Sequence, residues 1–282
     1  MSSTAGLTTM ITIDSADRNQ IAYPNPADYI YKLPQSIRNA ETVELMMFQM
    51  IRAEGSVNSG NASFTVQKNG GAITTVTIPQ GNYTYNGYGT GTDFTVGLSN
   101  AFVAAGSGAS GFSFTSNANN FLQISHSGEF NIVINTLTSR LLGIVAGYEA
   151  SGTSNATGYE RGAGMAKSVS TKIIGTKTPD MNGEPYVILS INDYHPNTTL
   201  STPMQNGFIT IPLENQAVGS RFSISNDLKE KKGVYKLGPT QTKIDQIAIK
   251  ITRADGSLYD FKGYEHQIVL RVMRKDGQNF VV

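Results

Sequence analysis

The feature that most constrains this chain is a long succession of short segments in which apolar and polar residues alternate. They include TTMITID, DYIYKL, TVELMMFQM, SFTVQK, ITTVTI, FNIVIN, YVILSI, GFITIPL, IDQIAIKIT and HQIVLRVM. A period of two places every other side chain on one face, the mark of a strand buried on one side. Asn69-Gly70-Gly71, Asn182-Gly183, Asn206-Gly207, Asp255-Gly256 and Asp276-Gly277 punctuate these segments. Such pairs adopt the positive φ that tight hairpin turns need. Many short strands with this punctuation predict an all-β chain of antiparallel strands, either a sandwich or a barrel. At 282 residues the chain can make one large all-β domain or two small ones.

Helix signals are few. TDFTVGLSNAFVAAG sets Phe94, Leu98, Ala101, Phe102 and Ala105 on one face, with Thr92 or Asp93 as cap and Gly106 as stop. Gly97 in its middle weakens it. TLTSRLLGI reads as one short turn opened by Thr138 or Ser139. Residues 147–168 and 227–239 read as exposed loops.

The net charge of +1 gives no global footprint for nucleic acid or an acidic membrane surface. Cysteine is absent, which excludes a disulfide framework, a thiolate nucleophile and a Cys-based zinc site. The opening MSSTAGLTTM lacks a basic segment followed by an apolar core, so no secretory signal is expected, and no apolar run reaches membrane-helix length. The Asn-x-Ser/Thr sequons at Asn61, Asn82, Asn155 and Asn197 are then chance occurrences. Charge is unevenly spread: between Gly55 and Tyr148 only Lys68, Asp93, Glu129 and Arg140 are charged. A surface of Ser, Thr, Asn, Gly and Tyr is cheap to desolvate, which fits a protein–protein interface.

Candidate chemistry is sparse. His126, His195 and His266 fall in separate segments at no metal-ligand spacing. His195, followed by Pro196, reads as a turn residue, and His266 as a strand-edge side chain. GYGTGTDFTVGL is rich in glycine but lacks the Lys-Ser/Thr ending of a phosphate loop. No G-x-S-x-G elbow is present. Neither catalytic residues nor a cofactor or metal site is expected. Tyr83, Tyr85 and Tyr88 offer a weak aromatic face for a glycan in a chain without Trp.

One stretch calls for a different explanation. ITIDSADRNQIAYPNPADYIYKL joins two strands through a polar, proline-stiffened corner. Arg18 brings a planar fork of donors that Asp17 can orient, and Pro24 and Pro26 hold Tyr23 and Asn25 extended. A rigid corner has little ordering cost on docking, so Asp17, Arg18, Asn19, Tyr23 and Asn25 are candidate subunit contacts. A corner internal to one domain, with Arg18 bonding its own carbonyls, is equally compatible with the sequence.

The same residues carry a resemblance. Ile13–Ser15, Asp17–Asn19, Tyr23–Pro26, Leu33-Pro34 and Val43–Leu45 resemble the opening pattern of penton and minor capsid proteins of nucleocytoplasmic large DNA viruses, which are icosahedral. TIPQGNYT at Thr77–Thr84, GLSNAF, Leu141-Leu142-Gly143 and the segment Lys243–Val272 resemble later elements of that family in the same order. Residues 147–184 and 193–205 match none of its patterns and are expected as excursions or an insertion. The resemblance implies a single jelly-roll sandwich at 41–282, entered by an N-terminal arm at 1–40 with two short strands. It implies a structural virion protein, assembled in the host cytoplasm, that forms homopentamers at the five-fold capsid vertices. Expected partners are its own copies, neighbouring major capsid proteins, and minor capsid proteins or a vertex spike. Neither direct nucleic-acid contact nor a membrane span is expected. The alternatives are a minor capsid or cementing protein between or beneath capsomers, and a glycan-binding attachment module.

Overall fold

The structure is a computed structural model that describes residues 8–68, 71–85, 93–144, 164–167, 171–195, 202–213, 216–225, 233–237 and 243–274. In chain order the strands are β1 (Thr8–Asp14), β2 (Asp28–Arg38), β3 (Ala40–Ile51), β4 (Ser63–Lys68), β5 (Ile73–Thr77), β6 (Ser113–Ser116), β7 (Leu122–Ser125), β8 (Phe130–Ile134), β9 (Gly164–Lys167), β10 (Lys172–Ile174), β11 (Tyr186–Ile191), β12 (Ile209–Pro212), β13 (Arg221–Ser225), β14 (Val234–Lys236), β15 (Lys243–Thr252) and β16 (Gln267–Arg274). The helices are α1 (Phe94–Ala104), α2 (Thr136–Leu142) and the single turn α3 (Thr202–Gln205). All pairs between these strands are antiparallel, so the all-β class read from the alternation is the class of the molecule.

The chain divides into two compact units, Met1–Ala53 with Glu184–Val282, and Glu54–Gly183. In the first unit one sheet has the order β1-β16-β3-β13, with β14 also pairing β3, and the other has the order β12-β11-β15-β2. β13 and β14 lie in line along one edge of β3: Ser225 sits opposite Met47, and Val234 resumes opposite Glu44. They are two halves of one interrupted strand. Numbered within this unit, its eight strands therefore run 1-8-3-6 in one sheet and 5-4-7-2 in the other. That interleaving of two Greek keys is the jelly roll.

Alternation explains why these segments pair as they do. Ile11 and Ile13 of β1, Ile268, Leu270 and Val272 of β16, and Val187, Leu189 and Ile191 of β11 all enter one core with Phe48, Tyr259 and Phe261. A one-residue slip of any of these strands would turn that set away from this core, so the pattern fixes the register. β2 departs from regularity: Lys32 pairs Gln246 and Ile37 pairs Ile244, so Leu33–Ser36 bulge opposite Asp245 alone. Pro34 lies within that bulge, where its missing N–H costs no ladder bond.

The boundaries differ from those expected. Within 1–40 the described residues supply the first two strands of the jelly roll itself, with Ile11, Ile13 and Tyr29 in its core, rather than a separate arm. The insertion is far longer than 147–184: the second unit occupies Glu54–Gly183, between the third and fourth strands of the jelly roll. Residues 145–163, 168–170 and 196–201 lie outside the described residues. Of the remainder, Ile173 belongs to the core of the second unit and Tyr194 to that of the first. Within 227–239, expected as a loop, Val234–Lys236 form β14.

The second unit contains a four-stranded sheet, β5-β4-β8-β9, and a three-stranded sheet, β10-β7-β6. Its core gathers Phe64, Val66, Phe94, Leu98, Phe102, Phe130 and Ile132. Asp93 caps α1 through Thr95 N at 2.8 Å. Phe94, Leu98, Ala101 and Phe102 form the buried face of that helix. α2 begins at Thr136, ahead of the expected openers Thr138 and Ser139: Asn135 Oδ1 accepts from Thr138 N at 2.7 Å and serves as the cap.

Gly97 has a packing reason. A Cβ placed there would stand 2.5 Å from Cε1 of Tyr83. That ring cannot swing away freely: its hydroxyl donates to Pro79 O at 2.9 Å, and its edge meets Phe94 at 5.9 Å between centroids. Helix propensity alone would make Gly97→Ala stabilising by about 1 kcal/mol. The clash with Tyr83 reverses the sign, and we expect a loss of about 1–3 kcal/mol. Urea unfolding midpoints check this, and in a Tyr83→Ala background the same substitution should become stabilising.

A buried polar clamp at the candidate subunit interface

The corner between β1 and β2 is built around Arg18. Asp14 starts it by accepting from Ala16 N at 2.9 Å, which caps a short 3-10 turn over Ser15–Asp17. The turn aims Arg18 inward, and its side chain is 5% exposed. Nε donates to Tyr23 O at 2.9 Å, and Nη2 donates to Pro24 O at 3.1 Å. Nη1 donates both to Ser15 O and to Glu265 Oε2, each at 2.6 Å. The fork therefore ties the start of the corner to its end, and both to the loop before β16. Burying a guanidinium is affordable only when its donors are met in this way.

Ser15 completes the clamp. Its hydroxyl donates to Glu265 Oε2 and accepts from His266 N at 2.8 Å, while Ser15 N donates to His266 O at 2.9 Å. Beneath it His266 is 3% exposed, stacked on Phe261 at 4.9 Å, with Nε2 at 3.1 Å from the hydroxyl of Tyr29. His266 is thus a core residue and not the strand-edge side chain expected. Burial, seconded by the Arg18 charge, pushes its pKa down to about 3. No acceptor meets its Nδ1, so a second ring proton finds nothing to hold it. Burial likewise raises the Tyr29 phenol above its ordinary range.

The other corner residues shape what faces out. Asn19 Oδ1 accepts from Ile21 N at 3.2 Å and from Ala22 N at 3.1 Å, and Asn19 O accepts from Tyr23 N at 2.8 Å. Asn25 Oδ1 accepts from Ala27 N at 2.8 Å. These side-chain-to-backbone turns hold the loop while leaving Ile21 97% exposed at its tip. Asp17 and Asn19 are exposed, Tyr23 and Asn25 half-buried. The acid that orients Arg18 is Glu265, and not Asp17 as the sequence suggested. A partner 247 positions away leaves no local signal.

The remaining candidates disperse. Tyr83 is consumed by its packing against α1, and Tyr85 is half-buried against the same core. Tyr88 lies outside the described residues. His195 is exposed beyond the turn at Asn192 and Asp193. His126 stacks on Phe112 at 4.7 Å in the other unit. Among the described residues no three His, Cys, Asp or Glu side chains converge on a metal position, and no helix is long and apolar enough to cross a membrane. Asn61 is buried, with its amide donating to Ser56 O at 2.9 Å, which agrees with reading its sequon as chance.

No protein-family model matches the chain, and no curated protein matches it. Among solved structures it is similar to a selenomethionine-labelled mavirus penton protein, at 10% identity and a TM-score of 0.43, over 95% of this chain and 99% of that one.

Two outcomes follow from the clamp. Arg18→Ala strands three carbonyls and a carboxylate, and should cost about 3 kcal/mol in denaturant unfolding, while Arg18→Lys, which keeps the charge but loses the fork, should recover part of that. The unfolded imidazole of His266 protonates near 6.5 and the buried one only near 3. Between those values the unfolded state binds more protons, so stability falls as pH drops, by up to about 1.4 kcal/mol per unit. His266→Gln should remove that part of the slope in unfolding free energies measured at pH 6, 5 and 4.

Proposed function

We propose that the chain is a structural capsid subunit that forms homopentamers at the five-fold vertices of an icosahedral virion. Its neighbours there are its own copies and the major capsid protein, and no catalysis or cofactor enters its role. The observation that carries this reading is the clamped corner. An Ile that is 97% exposed sits on a loop fixed at both ends by a buried Arg18, a costly arrangement for a loop with no contact to make. Tyr264, 47% exposed and next to Glu265, offers a second apolar point in the same unit. Asp17, Asn19 and Asn25 supply the polar surround expected at the rim of an interface. Arg18 contributes by holding the shape, since its donors are engaged within the subunit.

The jelly roll suits this task. A ring of identical copies needs head-to-tail contact between two different surfaces of one wedge, repeated until it closes. The charge-poor surface between Gly55 and Tyr148 suits crowding of identical copies, because like charges there would be multiplied around the ring.

Native mass measurement tests the assignment. The expected species has five times the 30.3 kDa protomer mass. Ile21→Asp should yield monomers that keep the parent's far-ultraviolet circular dichroism, as befits a substitution at an exposed position. A wild-type monomer, or an elongated strip between capsomers in particle images, would replace the vertex role with that of a cementing protein.

A further inference from the structure

Among the described residues β1 and β2 are each the outermost strand of their sheet, and a groove of about 520 Å³ runs between them. The two edges are treated very differently. β2 carries Lys32, Pro34 and Arg38 and bulges over Leu33–Ser36, the devices that discourage a further strand. β1, with the sequence TTMITID, has no charge before its last residue, no proline and an unbroken register against β16. Ser15 N bonds His266 O, and backbone direction alternates along an antiparallel strand. Ile13, Ile11 and Thr9 therefore turn their backbone groups to β16, and Met10 and Thr12 turn theirs to the open side. Met10 is 53% exposed.

The groove beside this edge has a distinct chemistry. Met10, Tyr31, Leu33 and Pro34 supply its apolar lining among threonine, glutamine and serine side chains, and among the described residues its only charged lining groups are Arg38 and Arg274. Both lie at the end where β1 begins: Thr8 pairs Met273, the residue before Arg274, and Arg274 pairs Ala40, two residues past Arg38. Arg274 Nε is buried and has no acceptor. A buried guanidinium nitrogen without a partner is a cost that an incoming carboxylate would remove.

We propose that β1 is a docking edge for an extended segment of a partner polypeptide. That segment pairs antiparallel with β1, sets apolar side chains into the groove at alternate positions, and carries an Asp or Glu at its C-terminal end. The antiparallel sense brings that end to Arg38 and Arg274, and the charge of the groove selects the acid. Main-chain bonds to Met10 and Thr12 supply affinity, while the groove and the two arginines supply selectivity. This site is separate from the corner at Ile21 and stands whether or not the subunits close into rings.

The test uses the full-length protein and two fluorescein-labelled, C-terminally amidated heptapeptides of alternating Thr and Val, one ending in Asp and one in Lys. Fluorescence anisotropy should show the Asp peptide binding at least tenfold more tightly than the Lys peptide. Arg274→Met should cut that difference at least threefold, and Arg38→Met combined with it should abolish the difference. Met10→Pro removes one outward N–H and no β1–β16 bond, so the fold should persist by circular dichroism while the Asp peptide binds at least tenfold more weakly. Should that variant fail to fold, Thr12→Pro makes the same deletion, and the Arg274→Met arm stands alone. Equal binding of the two peptides by the wild type, or unchanged binding by a folded proline variant, overturns the proposal. So does a change in native mass on Met10→Pro, which would mean that the edge is taken by a second copy. Failure of the vertex assignment would instead appear as a wild-type mass other than the pentamer's, with peptide binding intact.

Discussion

A buried guanidinium is tolerated only where its donors are met, and that requirement organises the jelly-roll unit. Arg18 can be placed only if the carbonyls of Ser15, Tyr23 and Pro24 converge on it together with the Glu265 carboxylate. Those groups come from both ends of one corner and from the loop before the last strand. Meeting the charge therefore fixes the entry into β2, the exit into β16 and the seat of His266 at once. The apolar core supplies most of the burial, but apolar packing is non-directional. The polar clamp gives one end of the sandwich a unique geometry, and that geometry lifts Ile21 into solvent.

The class of the fold was legible in the sequence because period-two alternation is a local property. Ile11 and Ile13, or Ile268, Leu270 and Val272, announce an inward face without knowledge of any partner. The start of α1 was legible for the same reason, since Asp93 and Phe94 stand side by side. The organisation of the chain was not. Its arrangement as a jelly roll rests on pairings such as β1 with β16 that span the whole length. The extent of the insertion was signalled, but as something else. Charge thins out from Gly55, one residue after the second unit begins at Glu54, and that shift in composition marks a boundary as well as a surface.

The candidate site was half visible. Asp17, Arg18, Asn19, Tyr23 and Asn25 stood out because prolines and small polar residues cluster there, and Asn19 and Asn25 act through local turns that such clusters foretell. Glu265 and His266 were hidden because nothing nearby distinguishes a carboxylate that will meet a guanidinium from one that will meet water. His266 escapes a local reading for a related reason: it precedes an alternating strand, yet Tyr29, Phe48 and Phe261 close over it from other parts of the chain. The tyrosines of NYTYNGY suggest a sugar platform by composition alone, whereas Tyr83 serves as the surface on which Gly97 rests.

The placement of the second unit within the chain has a consequence for how the molecule is made. β1 and β3 both pair with β16, which leaves the ribosome last of the described strands. At about 5–20 residues per second, β3 waits roughly 10–40 s for that partner. The unit at Glu54–Gly183 is continuous in sequence and is synthesised whole within that interval. The core described for it gathers residues from within that span, whereas β1 and β2 meet their strand partners only once β16 and β15 have followed. The order of synthesis thus places the continuous unit ahead of the strands that complete its host.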